Sequence, residues 1–199
     1  MKLIDICDIE SGLWKGKKTP LIKVNVIRNT NFGKDGKLNF DDIAKIEVEK
    51  SKFIKKRLKF GDIIVEKSGG GEKTPVGRVC IFEKKDDNFT FSNFTSILRI
   101  KDKKICNYMF LYHYLNWLFL SGRTEKIQTY STGIRNLKLS KYKNIEIQLP
   151  NLSKQFEIAS KLNSIIEKID ISKSNIKKRY KELTQLKLSI LKNEVNNSN

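Results

Sequence analysis

One histidine, His113, stands in a chain of 199 residues. That scarcity removes most imidazole chemistry. A Ser/His or Cys/His pair has a single ring to draw on, and His113 lies in an apolar helical window, where a core histidine fits better than a general base. The three cysteines, Cys7, Cys80 and Cys106, are odd in number, scattered, and each set in an apolar run. This is the pattern of reduced, buried thiols in a cytoplasmic protein, not of a disulfide framework. A zinc site of the usual kind finds too few ligands, so neither metal nor cofactor is expected. Long hydrophobic runs are also missing. The richest window, Ile105 to Leu120, contains Asn107, His113 and Asn116 and is too short and too polar to span a bilayer. Met1 to Glu10 carries acids and lacks the apolar core of a signal peptide, so no membrane partner is expected.

Acids are scarce relative to bases, 22 against 40, which leaves a net charge of +18. Such a surplus repels itself unless a polyanion is near, and double-stranded DNA is the leading partner. Apolar residues at 39% mark a chain that folds.

Leu21 to Arg28 (LIKVNVIR) alternates apolar and polar residues and predicts a strand, followed by a loop over Asn29 to Lys37. Ser51 to Leu58 is basic and ambiguous. Ile63 to Val65 and Val76 to Phe82 predict short strands on either side of a loop, Lys67 to Pro75 (KSGGGEKTP). Phe89 to Ile100 is strand-like, Tyr108 to Leu120 has helical spacing and stops at Ser121-Gly122, Ser131-Thr132-Gly133 predicts a loop, and Ile145 to Leu149 (IEIQL) a last strand before Pro150. Beyond Pro150, apolar residues at steps of three and four run from Leu152 to Lys192, a helix of roughly 60 Å at 1.5 Å per residue. Pro150 biases Leu149 away from helix, and Ser153 is the expected N-cap. The fold class is therefore α+β, a globular mixed α/β domain (residues 1–150) followed by one long C-terminal coiled-coil helix (151–193) and a disordered tail (194–199).

The stripe on this helix must bury itself, and a second copy of the chain is the economical partner. Its expected dimer face comprises Phe156, Ala159, Leu162, Ile166, Ile169, Ile176, Tyr180, Leu183, Leu186 and Ile190, and it weakens over Ser172 to Asn175. Catalytic motifs are missing from the rest. In Gly69-Gly70-Gly71-Glu72-Lys73-Thr74, a phosphate loop would need glycine directly before Lys73 and a helix after Thr74, but Glu72 and Pro75 stand there. Methyl transfer to a base would need an Asn/Asp-Pro-Pro-aromatic tetrapeptide, which is absent. Glu83-Lys84-Lys85 has the spacing of a nuclease motif but no obvious partner acid. The residues describe a binder and not an enzyme, with a small DNA endonuclease or a nonspecific basic nucleic-acid scaffold as the rival readings.

Several segments resemble the DNA specificity subunits of type I restriction–modification systems. Leu58-Lys59-Phe60-Gly61-Asp62-Ile63-Ile64, the glycine loop, Gly77-Arg78-Val79, and Gln128 to Pro150 (QTYSTGIRNLKLSKYKNIEIQLP) are similar to that family's target-recognition domains. Pro150 to Ile158, with Gln155, is similar to the start of its spacer helix. The resemblance implies a DNA-reading domain on a long helix, a methyltransferase subunit as partner, and a restriction subunit as a further candidate. Whole subunits carry two such units; this chain resembles one half. Two copies joined by antiparallel C-terminal helices would rebuild the pair and read a bipartite, palindromic target. Side chains able to pair with bases are Arg28, Asn29, Asn31, Arg78, Asn93, Gln128, Arg135 and Asn136, and Arg135 is the first choice because Thr132-Gly133 leaves room for close approach. Lys67, Ser68, Lys73, Tyr130, Ser131 and Thr132 are better suited to phosphate.

Overall fold

Asp62 to Glu66 are five consecutive buried residues, and the rest of the domain is arranged around them. The computed structural model describes residues 1–13, 16, 18–33 and 35–197, with side chains as far as 195. In chain order the elements are α1 (Leu3–Ile6), β1 (Cys7–Ser11), β2 (Leu21–Ile27), a 3₁₀ turn (Asn29–Asn31), β3 (Ala44–Glu49), α2 (Lys50–Lys55), β4 (Asp62–Glu66), β5 (Ser68–Gly70), β6 (Val79–Phe82), β7 (Phe89–Phe91), β8 (Thr95–Ile100), α3 (Tyr108–Leu120), a second 3₁₀ turn (Glu125–Ile127), β9 (Gln128–Ser131), β10 (Ile134–Leu137), α4 (Leu139–Tyr142) and α5 (Leu152–Asn197). Contacts divide the chain into two compact units, Met1–Phe156 and Glu157–Asn199.

In the first unit, β4 is a central strand of the sheet β1-β8-β4-β6, whose pairs are all antiparallel. One face of this sheet packs on α3 and α1 through Ile63, Val65, Leu98, Leu111 and Leu115. The other buries Ile64, Ile97, Phe82 and Phe91. A strand buried on both faces needs apolar residues at successive positions, which is why Ile63-Ile64-Val65 reads as a continuous apolar run. The acids at its ends are buried and paired: Asp62 accepts Arg99 at 2.6 Å and Glu66 accepts Arg78 at 2.9 Å. A buried carboxylate without such a partner would be strongly destabilising. A second sheet, β3-β2-β7, joins β2 antiparallel to β3 and parallel to β7, and a third has the order β5-β10-β9.

The helix expected at Tyr108 to Leu120 is α3, with Asn107 as its N-cap through Phe110 N–H at 2.9 Å. His113 is buried on it. The strand expected at Val76 to Phe82 starts only at Val79. Gly77 has φ +109°, and both backbone groups of Val76 are taken by the Gln128 side chain. The expected strand Phe89 to Ile100 is broken by a turn at Ser92, so β7 and β8 enter different sheets. Ile145 to Leu149 forms no strand. Glu146 makes an isolated bridge to Lys2, and the segment bonds along the N-terminal residues through Leu3 N–H to the Ile145 carbonyl and Ile147 N–H to the Met1 carbonyl.

The N-cap of α5 is Asn151, not Ser153: its Oδ1 accepts Lys154 N–H at 2.9 Å. The helix continues through Asn197, so 194–197, expected in a disordered tail, are helical. Nothing from Lys192 to Asn197 is a glycine or proline that would stop it. Taken by itself, the second unit carries apolar residues at intervals of seven, Leu162, Ile169, Ile176, Leu183 and Ile190. Ile176 is 67% exposed and Leu183 64%.

Candidate nucleic-acid interface

The sequence from Gln128 to Leu137 is polar, yet it folds as a hairpin. Thr132 and Gly133, both at positive φ (51° and 78°), make the two-residue loop that right-twisted strands favour. The strand β10 of this hairpin also pairs with β5, which opens the glycine loop. Two further segments close on β5. The Asn29 amide donates to the Ser68 carbonyl at 3.3 Å, and the Phe94 carbonyl accepts Lys67 N–H and Ser68 N–H at 2.8 and 3.0 Å. Gly69 has φ +106°, and a Cβ there would lie 2.6 Å from Asn29 Nδ2. Only glycine admits the turn and the loop at this distance. Four segments thus converge: the 3₁₀ turn, the glycine loop, the Ser92–Phe94 turn and the β9–β10 hairpin.

Most of the expected base readers are committed inside this frame. The Arg135 guanidinium donates to the Gly71 carbonyl at 3.2 Å and to the Glu72 carbonyl, so it clamps the glycine loop. Arg78 donates twice to Glu66, at 2.9 Å each, and reaches the carbonyls of Phe32 and Asn29 at 3.3 and 3.4 Å. The hydrogen bond to Glu66 raises its pKa, so it stays charged. Arg28 pairs with Asp42 at 3.2 Å. Asn31 is buried, accepts Arg28 N–H at 2.9 Å and donates to the carbonyls of Asp42 and Asn39. Gln128 holds Val76, and Asn136 Oδ1 accepts the Ser68 hydroxyl at 2.5 Å. These six side chains hold the four segments together more than they face outward.

What faces outward is different. Asn29 and Asn93 are half-exposed, and Lys73, Tyr130, Ser131 and Thr132 are exposed. Lys67 is half-buried, and desolvation, with the nearby charge of Lys56, holds its ammonium below the ordinary lysine range. The Arg135 guanidinium sits 5.9 Å from the Tyr130 ring centroid. Sequence reasoning missed Thr30, which is exposed between two asparagines of the turn, and Phe94, exposed at the Ser92–Phe94 turn. It also missed Glu66, whose burial and pairing carry no local signal. A cavity of about 460 Å³ lies between the 3₁₀ turn and the glycine loop, lined by Asn29, Thr30, Glu66, Lys73, Arg78 and Phe119 among others. A second, of about 360 Å³, has Asn29, Arg28, Asn93, Phe94 and apolar residues of the β2–β3 sheet on its walls. Among the described residues no group of His, Cys, Asp and Glu could hold a metal ion, and no helix is long and apolar enough to cross a membrane.

Residues 1–182 match the family described as Type I restriction modification DNA specificity domain. Three solved structures share the fold. The S subunit of a type I restriction–modification system from M. genitalium is 22% identical, with a TM-score of 0.56 over 85% of this chain and 39% of its own. A chain from a structure described as the structural basis underlying complex assembly and conformational transition of the type I R-M system is 18% identical, with a TM-score of 0.63 over 93% and 42%. The HsdS subunit from Thermoanaerobacter tengcongensis is 17% identical, with a TM-score of 0.52 over 85% and 37%. This chain therefore spans about two-fifths of each. A search of curated proteins gives no match.

Proposed function

The chain belongs to the type I restriction modification DNA specificity family, and we propose that it is the DNA-reading subunit of such a system, acting as a homodimer and directing a methyltransferase subunit to its target. Methyl transfer, and cleavage where a restriction subunit is present, fall to those partners. The observation that carries the reading is the seven-residue apolar repeat on α5, exposed from Ile169 onward, on a chain whose other unit gathers four loops into one candidate reading surface.

The sequence of α5 favours an antiparallel pair. In a parallel coiled coil Arg179, three residues beyond Ile176 of the repeat, would lie near Arg179 of the partner subunit, two like charges brought together. An antiparallel pair with its twofold axis near Ser174 instead sets Leu162 against Leu186 of the partner subunit and Ile165 against Leu183 of the partner subunit. It also brings Lys168 beside Glu182 of the partner subunit. The polar stretch Ser172 to Asn175 then sits at the axis. Two such reading domains face DNA with twofold symmetry, so the target is an interrupted palindrome.

Light scattering on the full chain tests the assembly. A mass twice the 23.1 kDa of one chain at micromolar concentration is expected. A mass of one chain, unchanged on adding the methyltransferase subunit, contradicts it.

A further inference from the structure

The cavity of about 460 Å³ between the 3₁₀ turn and the glycine loop has no task in a surface that reads paired bases from outside. We propose that it is a pocket for one unpaired nucleobase bearing an exocyclic amino group, adenine or cytosine, extruded from the target duplex. The proposal rests on the DNA-reading function above.

The form of the site is the first argument. A concave site within the size range of small-ligand pockets, roughly 300–1,000 Å³, can accept only something that stands out from its partner. A paired base does not stand out from a duplex. A phosphate or an extruded base does.

The chemistry decides between those two. Glu66 lies on the wall with only 3% of its surface exposed. A phosphate would be placed against that carboxylate, and Arg78 already cancels the Glu66 charge instead of adding a free cation. A neutral base has no such conflict. Arg78 donates one N–H to each carboxylate oxygen of Glu66, at 2.9 Å. A carboxylate has about four acceptor sites, so roughly two are left for an amino group. Asn29 uses its Nδ2 toward Ser68, which leaves its carbonyl oxygen as a further acceptor. The remaining wall includes Phe119 and Pro75, apolar surface of the kind that base faces require. Lys73, on the same wall, can meet the phosphate that travels with an extruded nucleotide.

The frame is rigid where the base would bind. The turn bearing Asn29 is held by Asn31, by Arg78 and by the close approach of Gly69. A preformed pocket offsets part of the cost of unstacking, which is least for a mismatched base.

The test uses the full chain with its methyltransferase subunit and duplexes that the wild-type chain selects from a random pool. A single mismatch is moved through the half-site. At the extruded base the mismatch is expected to tighten binding about tenfold, because pairing no longer opposes extrusion; elsewhere it weakens binding. Thr30→Trp, at an exposed position on the cavity wall, should abolish the tightening, so that a mismatch at that position weakens binding as it does elsewhere. In a second arm, saturation-transfer NMR on the DNA-free chain should show dAMP or dCMP binding better than dTMP, and Glu66→Gln should erase the difference. If no mismatch tightens binding, extrusion is refuted, and if the three nucleotides bind alike, the amino-base pocket is refuted. Should the wild-type chain select no sequence, the DNA-reading function fails at that step, and the nucleotide arm still decides the pocket.

Discussion

Gln155, in the first turn of α5, accepts the backbone N–H of Asn107 at 2.9 Å, while the Asn107 side chain caps α3. The same amide donates to the carbonyls of Ile105 and Pro150 at 2.9 and 2.8 Å, and Gln155 has no exposed surface. One side chain therefore satisfies three backbone groups where α3 begins and α5 leaves Pro150. Gln155→Ala leaves all three unpaired and should lower stability by about 2–4 kcal/mol. Gln155→Glu retains the acceptor, loses both donors and buries a charge against two carbonyls, so its loss should be at least as large. Urea denaturation followed by circular dichroism measures both. Midpoints within error of wild type would show that the bonds contribute little.

Arg135 is committed to the chain's own backbone. Its guanidinium holds the carbonyls of Gly71 and Glu72. Arg135→Ala should release the glycine loop, weaken binding to every DNA sequence by a similar factor, and speed amide exchange over residues 67–75. A base-reading arginine would instead lose about 1–3 kcal/mol on its own target alone. Binding to matched and scrambled duplexes separates the two.

How much of this was legible in the sequence differs by element. The helix α3 is visible because a 3.6-residue apolar pattern runs between an asparagine cap and Ser121-Gly122. The hairpin β9–β10 is not, since QTYS and IRNL are polar, four-residue strands whose partner, β5, is three residues long. IEIQL has the alternation of a strand but finds only the N-terminal residues beside it. For the candidate site, residue type pointed to arginines and amides. It could not show that Glu66 and two main-chain carbonyls already occupy Arg78 and Arg135, because those partners lie 12, 64 and 63 positions away.

Burial pushes the thiols of Cys80 and Cys106 up to about 12, from an ordinary value of 9.0, and raises Cys7 as well. At pH 8 the thiolate fraction of Cys80 and Cys106 in the folded chain is then on the order of 10⁻⁴, and a disulfide reagent should modify them only after denaturation. The linkage has a definite sign. The folded state keeps these protons to higher pH than the unfolded state does, so the thiols contribute stability that is intact below about pH 9 and lost as pH rises toward 12. Cys80→Val should flatten that decline; an unchanged pH–stability curve would contradict the assignment.

Lys168 and Glu182 test the direction of the helix pair. Lys168→Glu places like charges together twice per antiparallel dimer and should weaken dimerisation about fivefold, an effect near 1 kcal/mol for two exposed pairs. Adding Glu182→Lys should restore it. In a parallel pair these two residues are far apart, and the second substitution would give no rescue.

Selection of binding sites from random duplex DNA, by the full chain together with its methyltransferase subunit, bears most directly on the central claim that two copies read two half-sites at a fixed separation. The account predicts an interrupted palindrome with a constant gap. A contiguous asymmetric site, half-sites at variable spacing, or no sequence preference would contradict it.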